Sequence, residues 1–119
     1  MPDLTRSLGL VAPDARAIVE ALLLAAGGGR LRAFCLVPGE GSPTAVLTES
    51  GGRRRLSLEP SRRATLVAKL KKLAGLDVAQ RLRPQRGGFR TTFGEALSVS
   101  VTTRPCRGGE IIRVRFRRS

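Results

Sequence analysis

The chain contains no histidine, tryptophan or tyrosine, and its aromatic residues are four phenylalanines among 119 residues. Without histidine it has no imidazole general base, no Ser-His-Asp or Cys-His nucleophile system and no His-ligated metal. Its two cysteines, Cys35 and Cys106, are too few for a four-cysteine zinc site. We expect both to be reduced and to act as small apolar residues, with a single disulfide as the alternative. We expect no cofactor.

Long hydrophobic stretches are also missing. The longest apolar run lies around residues 21–26, whereas a helix needs about 20 apolar residues to cross a bilayer. Asp3 and Arg6 interrupt the N-terminus and no long apolar core follows them, so the layout of a signal peptide is missing. We therefore expect a cytoplasmic protein with no membrane span.

Acidic residues are scarce: nine Asp and Glu stand against 22 Lys and Arg, which gives a formal net charge of +13. Such a balance predicts attraction to nucleic acid, to anionic lipid or to an acidic protein face. Most of the basic residues are arginines, so bidentate contacts to phosphate or carboxylate are available where they converge. An ordinary arginine-rich surface has the same composition, so charge alone does not select a partner. The residues predicted to form a basic surface are Arg53, Arg54, Arg55, Arg113, Arg115 and Arg117.

Hydrophobic periodicity predicts an α+β fold. The length and the 41% hydrophobic content fit one globular domain, which we place at residues 13–119 behind an N-terminal arm of residues 1–12. Apolar residues at three- and four-residue spacing predict helices, and alternation with polar residues predicts strands. The predicted helices are residues 13–26 and 60–74, and the predicted strands are residues 30–37, 44–49, 53–58, 89–92, 96–103 and 112–117. The order is α-βββ-α-βββ, with an antiparallel sheet and two main helices.

Several local predictions concern the core and the region after the second helix. One face of the first strand is predicted to carry Leu31, Ala33, Cys35 and Val37. The buried stripe of the second helix is predicted to be Leu66, Val67, Leu70, Leu73 and Ala74, with Lys69, Lys71 and Lys72 on the solvated side. Gly75 is expected in the left-handed conformation just beyond the helix end. Residues 77–88 are predicted to form a loop.

Short motifs follow one another in the second half of the chain. They are Ala74-Gly75-Leu76-Asp77-Val78-Ala79-Gln80-Arg81, then Pro84-Gln85 with Gly87, then Val101-Thr102-Thr103 with Pro105, and finally Gly109-Glu110. In this order they resemble the PAS-like domain that precedes the catalytic domain of type II secretion and type IV pilus ATPases. The resemblance covers residues 13–116 in element order and is motif-specific over residues 66–116. It implies a PAS-like fold and, in the full-length enzymes, arginines that reach toward a nucleotide held by the catalytic domain.

Some positions depart from the family pattern. Arg86 stands where the family has an acid, and Leu82, Gly88 and Ser100 stand where it has arginines, while Arg81 matches. The candidate ligand- or partner-binding residues are Arg81, Arg83, Gln85, Arg86 and Arg90. The loop thus keeps the frame of the family with arginines at other positions, which indicates a changed role.

No Gly-x-x-x-x-Gly-Lys-Ser/Thr phosphate loop occurs in these 119 residues, so nothing here positions a nucleotide for phosphoryl transfer. We therefore predict a non-catalytic, stand-alone domain that acts as a protein-interaction or regulatory module of a secretion or pilus system. Its partner would be the ATPase or a related component. One alternative is a basic protein that binds nucleic acid through phosphate contacts, although stacking aromatics are missing. The other is a PAS-like module that holds a small ligand or nucleotide.

Overall fold

A computed structural model describes residues 15–38, 44–93 and 95–118 as two helices and one six-stranded sheet. The elements are helix α1 (Ala15–Gly27), strands β1 (Leu31–Val37), β2 (Thr44–Glu49) and β3 (Gly52–Ser57), helix α2 (Pro60–Leu73), and strands β4 (Gln85–Phe93), β5 (Glu95–Cys106) and β6 (Gly109–Arg118). Neighbouring strands are antiparallel, in the order β3-β2-β1-β6-β5-β4. The predicted α+β class and the order α-βββ-α-βββ are confirmed.

The core lies between the helices and one face of the sheet, here called the inner face. Helix α1 contributes Ile18 and Leu22, α2 contributes Leu66 and Leu70, and Phe34 of β1 is fully buried. Each such side chain stabilises the fold by about 1.5–3 kcal/mol when it is removed from water. The opposite face, here called the outer face, therefore carries the side chains that the helices do not cover.

The predicted face of β1 is wrong at Leu31, which is buried on the inner face, whereas Ala33, Cys35 and Val37 do share one face. The pairing of β1 with β2 shifts register between Leu31 and Ala33. After this shift Phe34 and Leu36 are fully buried, and Cys35 is only half-buried. One extra residue in a strand moves the following side chains to the other face. Apolar alternation cannot show such a shift when both faces of the strand are apolar.

Helix α2 ends at the glycine that the sequence predicts. Gly75 has a φ of 73°, and its backbone N–H donates to the Lys72 carbonyl at 3.2 Å. The N–H of Leu76 donates to the Lys71 carbonyl at 2.8 Å, which completes a Schellman motif. Leu76 then packs against the core, so the chain leaves the helix in a defined direction.

The predicted stripe of α2 is wrong at two positions. Leu73 is 37% exposed, whereas Lys71, which was predicted on the solvated side, is 1% exposed. A buried lysine requires partners for its charge, and the partner lies on a distant strand, as described below.

Strand β4 starts at Gln85, where the prediction placed the strand at residue 89 and a loop before it. The segment Gln85–Gly88 pairs with Ser100–Thr103 of β5. Glycine is depleted in strands, and for this reason the pattern predicted a loop. Gly87 has a further role, because a Cβ there would lie 2.3 Å from the Ala74 carbonyl oxygen at the end of α2. The loop between α2 and β4 therefore spans residues 74–84 only.

The predicted arm of residues 1–12, the predicted helix start at residues 13 and 14, and the turn at residues 39–43 lie outside the described residues. Cys35 and Cys106 are both free thiols. Within the described ranges, no helix is long and apolar enough to cross a membrane.

Candidate functional site

Arginines occupy the outer face of the sheet on four strands. Across the sheet, Arg86 is opposite Thr102, which is opposite Arg113, and Ser100 is opposite Arg115. The residues that alternate with them, such as Val101, are buried on the inner face. By this alternation the outer-face arginines are Arg53 and Arg55 of β3, Arg86 and Arg90 of β4, Arg104 of β5, and Arg113, Arg115 and Arg117 of β6.

No carboxylate balances these arginines among the strand side chains that the structure describes. Glu49 forms an ion pair with Arg54 at 3.1 Å, and Arg54 lies opposite the buried Leu47 on the inner side. Glu110 of β6 is 5% exposed and also lies on the inner side. The electrostatic potentials of like charges add together when the charges lie within a Debye length, which is about 8 Å at physiological ionic strength. The outer face therefore attracts anions.

The outer face forms an open pocket where β4, β5 and β6 lie side by side. This outer-face pocket has a volume of about 710 Å³. Because β5 lies between β4 and β6, its short Ser100 and Thr102 side chains are flanked by longer side chains of both neighbours. The full lining is Pro84, Gln85, Arg86, Ser100, Thr102, Thr103, Arg104, Ile111, Arg113 and Arg115.

A buried ion pair holds the loop of residues 74–84 against the β5–β6 hairpin. Lys71 Nζ lies 2.7 Å from Glu110 Oε1, and the two side chains are 1% and 6% exposed. The same ammonium donates to the carbonyl oxygens of Gln80 at 2.9 Å and Val78 at 3.5 Å. Three acceptors match the three protons of a lysine ammonium. Lys71 therefore ties α2, the loop and β6 together.

Arg63 of α2 also contacts the β5–β6 hairpin at Glu110. Its guanidinium Nη2 donates to the backbone carbonyl of Glu110. Burial lowers the pKa of Arg63, and the nearby Glu110 carboxylate opposes that shift. Since the ordinary pKa of arginine is far above neutral, Arg63 keeps its charge at neutral pH. Glu110 is thus a structural residue between two cations.

Gln85 closes the loop from the strand side. Its side-chain Nε2 donates to the Asp77 carbonyl at 3.0 Å, and its Oε1 accepts from the Asp77 N–H at 2.9 Å. Its backbone N–H donates to Thr103 Oγ1 at 3.0 Å. Both ends of the amide are engaged inside the protein, so the observed role of Gln85 is to hold the loop.

The structure separates the predicted site residues. Arg81 and Arg83 lie exposed on the loop, on either side of Leu82, which is 87% exposed. The predicted residues that it brings together on one face are Arg53, Arg55, Arg86, Arg90, Arg113, Arg115 and Arg117, whereas Arg54 lies on the other side. Sequence reasoning missed Arg104, Ser100 and Thr102 as pocket residues. The polar half of the alternation in β5 was the signal that could have found them.

Cys35 lies opposite Arg113 in the β1–β6 register. Burial raises the pKa of the Cys35 thiol, while the charge and the hydrogen bond of Arg113 partly offset that rise. A raised pKa lowers the thiolate fraction at neutral pH, and the thiolate is the reactive form. Cys35 is therefore a weak nucleophile in the folded protein.

We expect iodoacetamide to alkylate Cys35 several-fold more slowly in the native protein than in urea-unfolded protein at pH 8, because the folded thiol is less ionised. Peptide-resolved mass spectrometry gives the two rates. Arg113→Ala is expected to slow the native reaction further, since it removes the cation that lowers the thiol pKa. A faster reaction in Arg113→Ala would show that steric shielding, and not ionisation, controls the rate.

Comparison with known proteins gives one partial match. The chain is 41% identical over 60 residues to the "Protein transport protein HofB homolog" of Escherichia coli (strain K12). The matched segment covers 50% of this chain and 13% of the length of that protein. No family model matches the chain. The predicted link to secretion is confirmed in a coarser form, since the chain is distantly related to a protein transport protein.

Proposed function

We propose that this chain is a PAS-like, non-catalytic interaction module of a secretion or pilus ATPase system in the cytoplasm. Its outer face docks on an acidic surface of the ATPase or of a related component. The observation that carries this proposal is the outer face itself: eight arginines, with no carboxylate among its described side chains. The 41% identity to a protein transport protein supports the choice of partner.

The electrostatics of the outer face suit docking better than catalysis. The described residues of the outer face provide no imidazole and no paired carboxylates beside the arginines, so the face supplies charge without the commonest general bases. Arginine forms bidentate hydrogen bonds with carboxylates and loses little freedom when it does so. Complementary charge accelerates association and makes it sensitive to salt.

Docking is tested by charge reversal on and off the outer face. The variant Arg113→Glu/Arg115→Glu changes two outer-face residues, and Lys69→Glu/Lys72→Glu makes the same change of charge on helix α2. Tagged domain is used to capture partners from native cytosol, and mass spectrometry identifies them. We expect the wild-type domain and the helix variant to retain a secretion or pilus ATPase. We expect the outer-face variant to bind it about 100-fold more weakly, since each reversal replaces an attraction with a repulsion.

Salt dependence completes the test. Affinity of the wild-type domain for the identified ATPase should fall when the salt concentration rises from 50 to about 200 mM, because screening weakens contacts between exposed charges. Recovery of no secretion or pilus component contradicts the proposed partner. Equal loss in both double variants contradicts the assignment of the outer face.

A second candidate function is nucleic-acid binding, which the same eight arginines favour. Phosphate contacts would make the binding independent of sequence and strongly dependent on salt. The described part of the outer face carries no aromatic side chain on which bases could stack. Electrophoretic titration with duplex DNA and RNA at two salt concentrations tests for nucleic-acid binding. Binding that is lost in Arg113→Glu/Arg115→Glu, together with no captured ATPase, would replace the proposed function.

A further inference from the structure

Strand β4 forms a long, open edge of the sheet. It spans nine residues, Gln85–Phe93, and pairs with β5 on one side. In the part of the chain that the structure describes, no strand pairs with its other side. An edge strand exposes a row of unpaired backbone N–H and C=O groups, with which another extended chain can pair. The edge of β4 is therefore a candidate surface for strand addition.

The register of β4 shows which of its backbone groups face outward. The Gln85 N–H donates to Thr103 of β5, so it points toward that strand. The Val99 carbonyl, opposite Phe89, points toward β4, because its oxygen lies 2.6 Å from the place of a Cβ at Gly88. In an antiparallel pair, residues that bond to the neighbouring strand alternate with residues whose backbone groups point away from it. The N–H and C=O groups that point away from β5 are therefore those of residues 86, 88, 90 and 92.

The opposite edge of the sheet is less suited to strand addition. Strand β3 has six residues and carries three consecutive arginines, Arg53, Arg54 and Arg55. Short length and charged side chains are features that protect natural sheet edges from pairing. Strand β4 contains neither proline nor lysine, and Gly87 and Gly88 leave its middle without side chains. The backbone of β4 is thus the more accessible of the two edges.

The side chains along β4 select the segment that would pair with it. Arg86 and Arg90 are exposed on the outer face, whereas Phe89 packs against the core from the inner face and is only partly buried. Opposite charges and apolar–aromatic pairs stabilise neighbouring strands when they lie directly across from each other. A second copy of this chain fits poorly, because pairing two β4 strands about Gly88 would place Arg86 of one copy opposite Arg90 of the other.

We propose that the edge of β4 binds an extended acidic segment of a protein partner by strand addition. The segment runs antiparallel to β4, and its backbone pairs with residues 86, 88 and 90. Two carboxylates four residues apart contact Arg86 and Arg90, and the apolar residues between them cover Phe89. Backbone hydrogen bonds supply the affinity, and the side chains supply the specificity. This site goes beyond docking through the outer face, because it uses the backbone of one strand and requires an extended partner.

A synthetic peptide tests the edge directly. The probe is the blocked, fluorescently labelled heptapeptide Thr-Glu-Val-Thr-Val-Glu-Thr, and its anisotropy with the whole chain gives the dissociation constant. A second peptide carries N-methyl groups on both glutamates and the central threonine, so it keeps the charges and loses the donors that would pair with β4. We expect the first peptide to bind and the second not to bind. Since neither probe contains an ATPase, the outcome is independent of the capture experiment.

Hydrogen exchange followed by NMR locates the contact. We expect the first peptide to slow exchange of the Gly88 and Arg90 amides several-fold, because new hydrogen bonds protect amides that face solvent in the free chain. The amides of β3 should keep their rates. Protection of the Gly88 and Arg90 amides in the free chain at high concentration would assign the edge to a second copy of this chain, and would overturn the proposed partner.

Two substitutions at one position separate backbone pairing from charge. Arg90→Gln removes only the guanidinium group and is expected to weaken binding of the first peptide about tenfold. Arg90→Pro also removes the outward N–H, a change that edge strands tolerate, and is expected to abolish binding. The melting temperature shows whether each variant is folded, and the two peptides decide the question if Arg90→Pro is not. Equal binding of the two peptides, or equal affinity of the two folded variants, would overturn the proposal.

Discussion

Glu110→Ala is expected to lower the free energy of unfolding by about 3–5 kcal/mol, because it leaves the charge of Lys71 buried without a counter-ion. The Lys71 side chain is 1% exposed, so water cannot replace the carboxylate without local opening of the fold. The carbonyl oxygens of Gln80 and Val78 still accept hydrogen bonds, but they do not neutralise the charge. Urea denaturation at constant pH measures the change.

Two control variants show whether the loss comes from the unpaired charge. Glu20→Ala removes the acid of an exposed ion pair with Arg16, and we expect a change of about 0.5 kcal/mol or less. The double variant Lys71→Met/Glu110→Leu removes both charges, and it should recover much of the stability that Glu110→Ala loses. A loss in Glu110→Ala as small as that in Glu20→Ala would contradict the buried pair.

Gly87→Ala is the second change with a large expected effect, a loss of about 1–3 kcal/mol in the free energy of unfolding. The new Cβ would lie 2.3 Å from the Ala74 carbonyl oxygen and 2.8 Å from Leu76 Cδ2. The carbonyl belongs to the backbone at the end of α2, so it cannot move aside as a flexible side chain would. Strand β4 would have to separate from the helix end.

The matched control is Gly51→Ala in the β2–β3 turn. A Cβ at Gly51 meets no atom within 4 Å, so we expect a change of less than about 0.5 kcal/mol. Thermal and urea denaturation of both variants give the comparison. Equal stability of Gly87→Ala and Gly51→Ala would mean that the contact between β4 and α2 is loose.

Gly88 lies where the neighbouring strand leaves no room for a side chain. A Cβ at Gly88 would lie 2.6 Å from the Val99 carbonyl oxygen of the neighbouring strand. An arginine there would require the β4–β5 backbone to shift, and it would project beside Ser100, its partner in the register. The arginines of the outer face lie around this glycine and serine, at Arg86, Arg113 and Arg115.

The order of elements and most of their bounds follow from local sequence. Alternation in β2 and β5, the apolar spacing of α1 and the glycine after α2 each depend on neighbouring residues, so a single chain shows them. Lys71 does not follow from local sequence, because its partner Glu110 lies 39 residues away. The start of β4 cannot be predicted from local sequence for the same reason. Its extended conformation depends on pairing with β5 and not on the residues Gln85-Arg86-Gly87-Gly88 themselves.

The candidate site was predicted in pieces and not as a whole. The sequence shows which strands carry arginine on their polar side, and it therefore predicts most of the basic surface. It does not show which strands are neighbours. Arg86 and Arg113 flank Thr102 only because β5 lies between β4 and β6. Arg54 lies with Glu49 on the other side, which follows from alternation once the phase of β3 is known.

The central position of the β1–β6 pair determines how the chain can fold. Strands β1–β3 pair with their chain neighbours, as do β4–β6, so each half of the sheet can form from local contacts. The two halves join where Phe34 pairs with Val114, 80 positions apart along the chain from 34 to 114. Closing so long a loop costs entropy before any contact is gained, and such pairings slow folding. Strand β6, the last described strand in chain order, thus enters the middle of the sheet, and β1 keeps an open edge until β6 pairs with it.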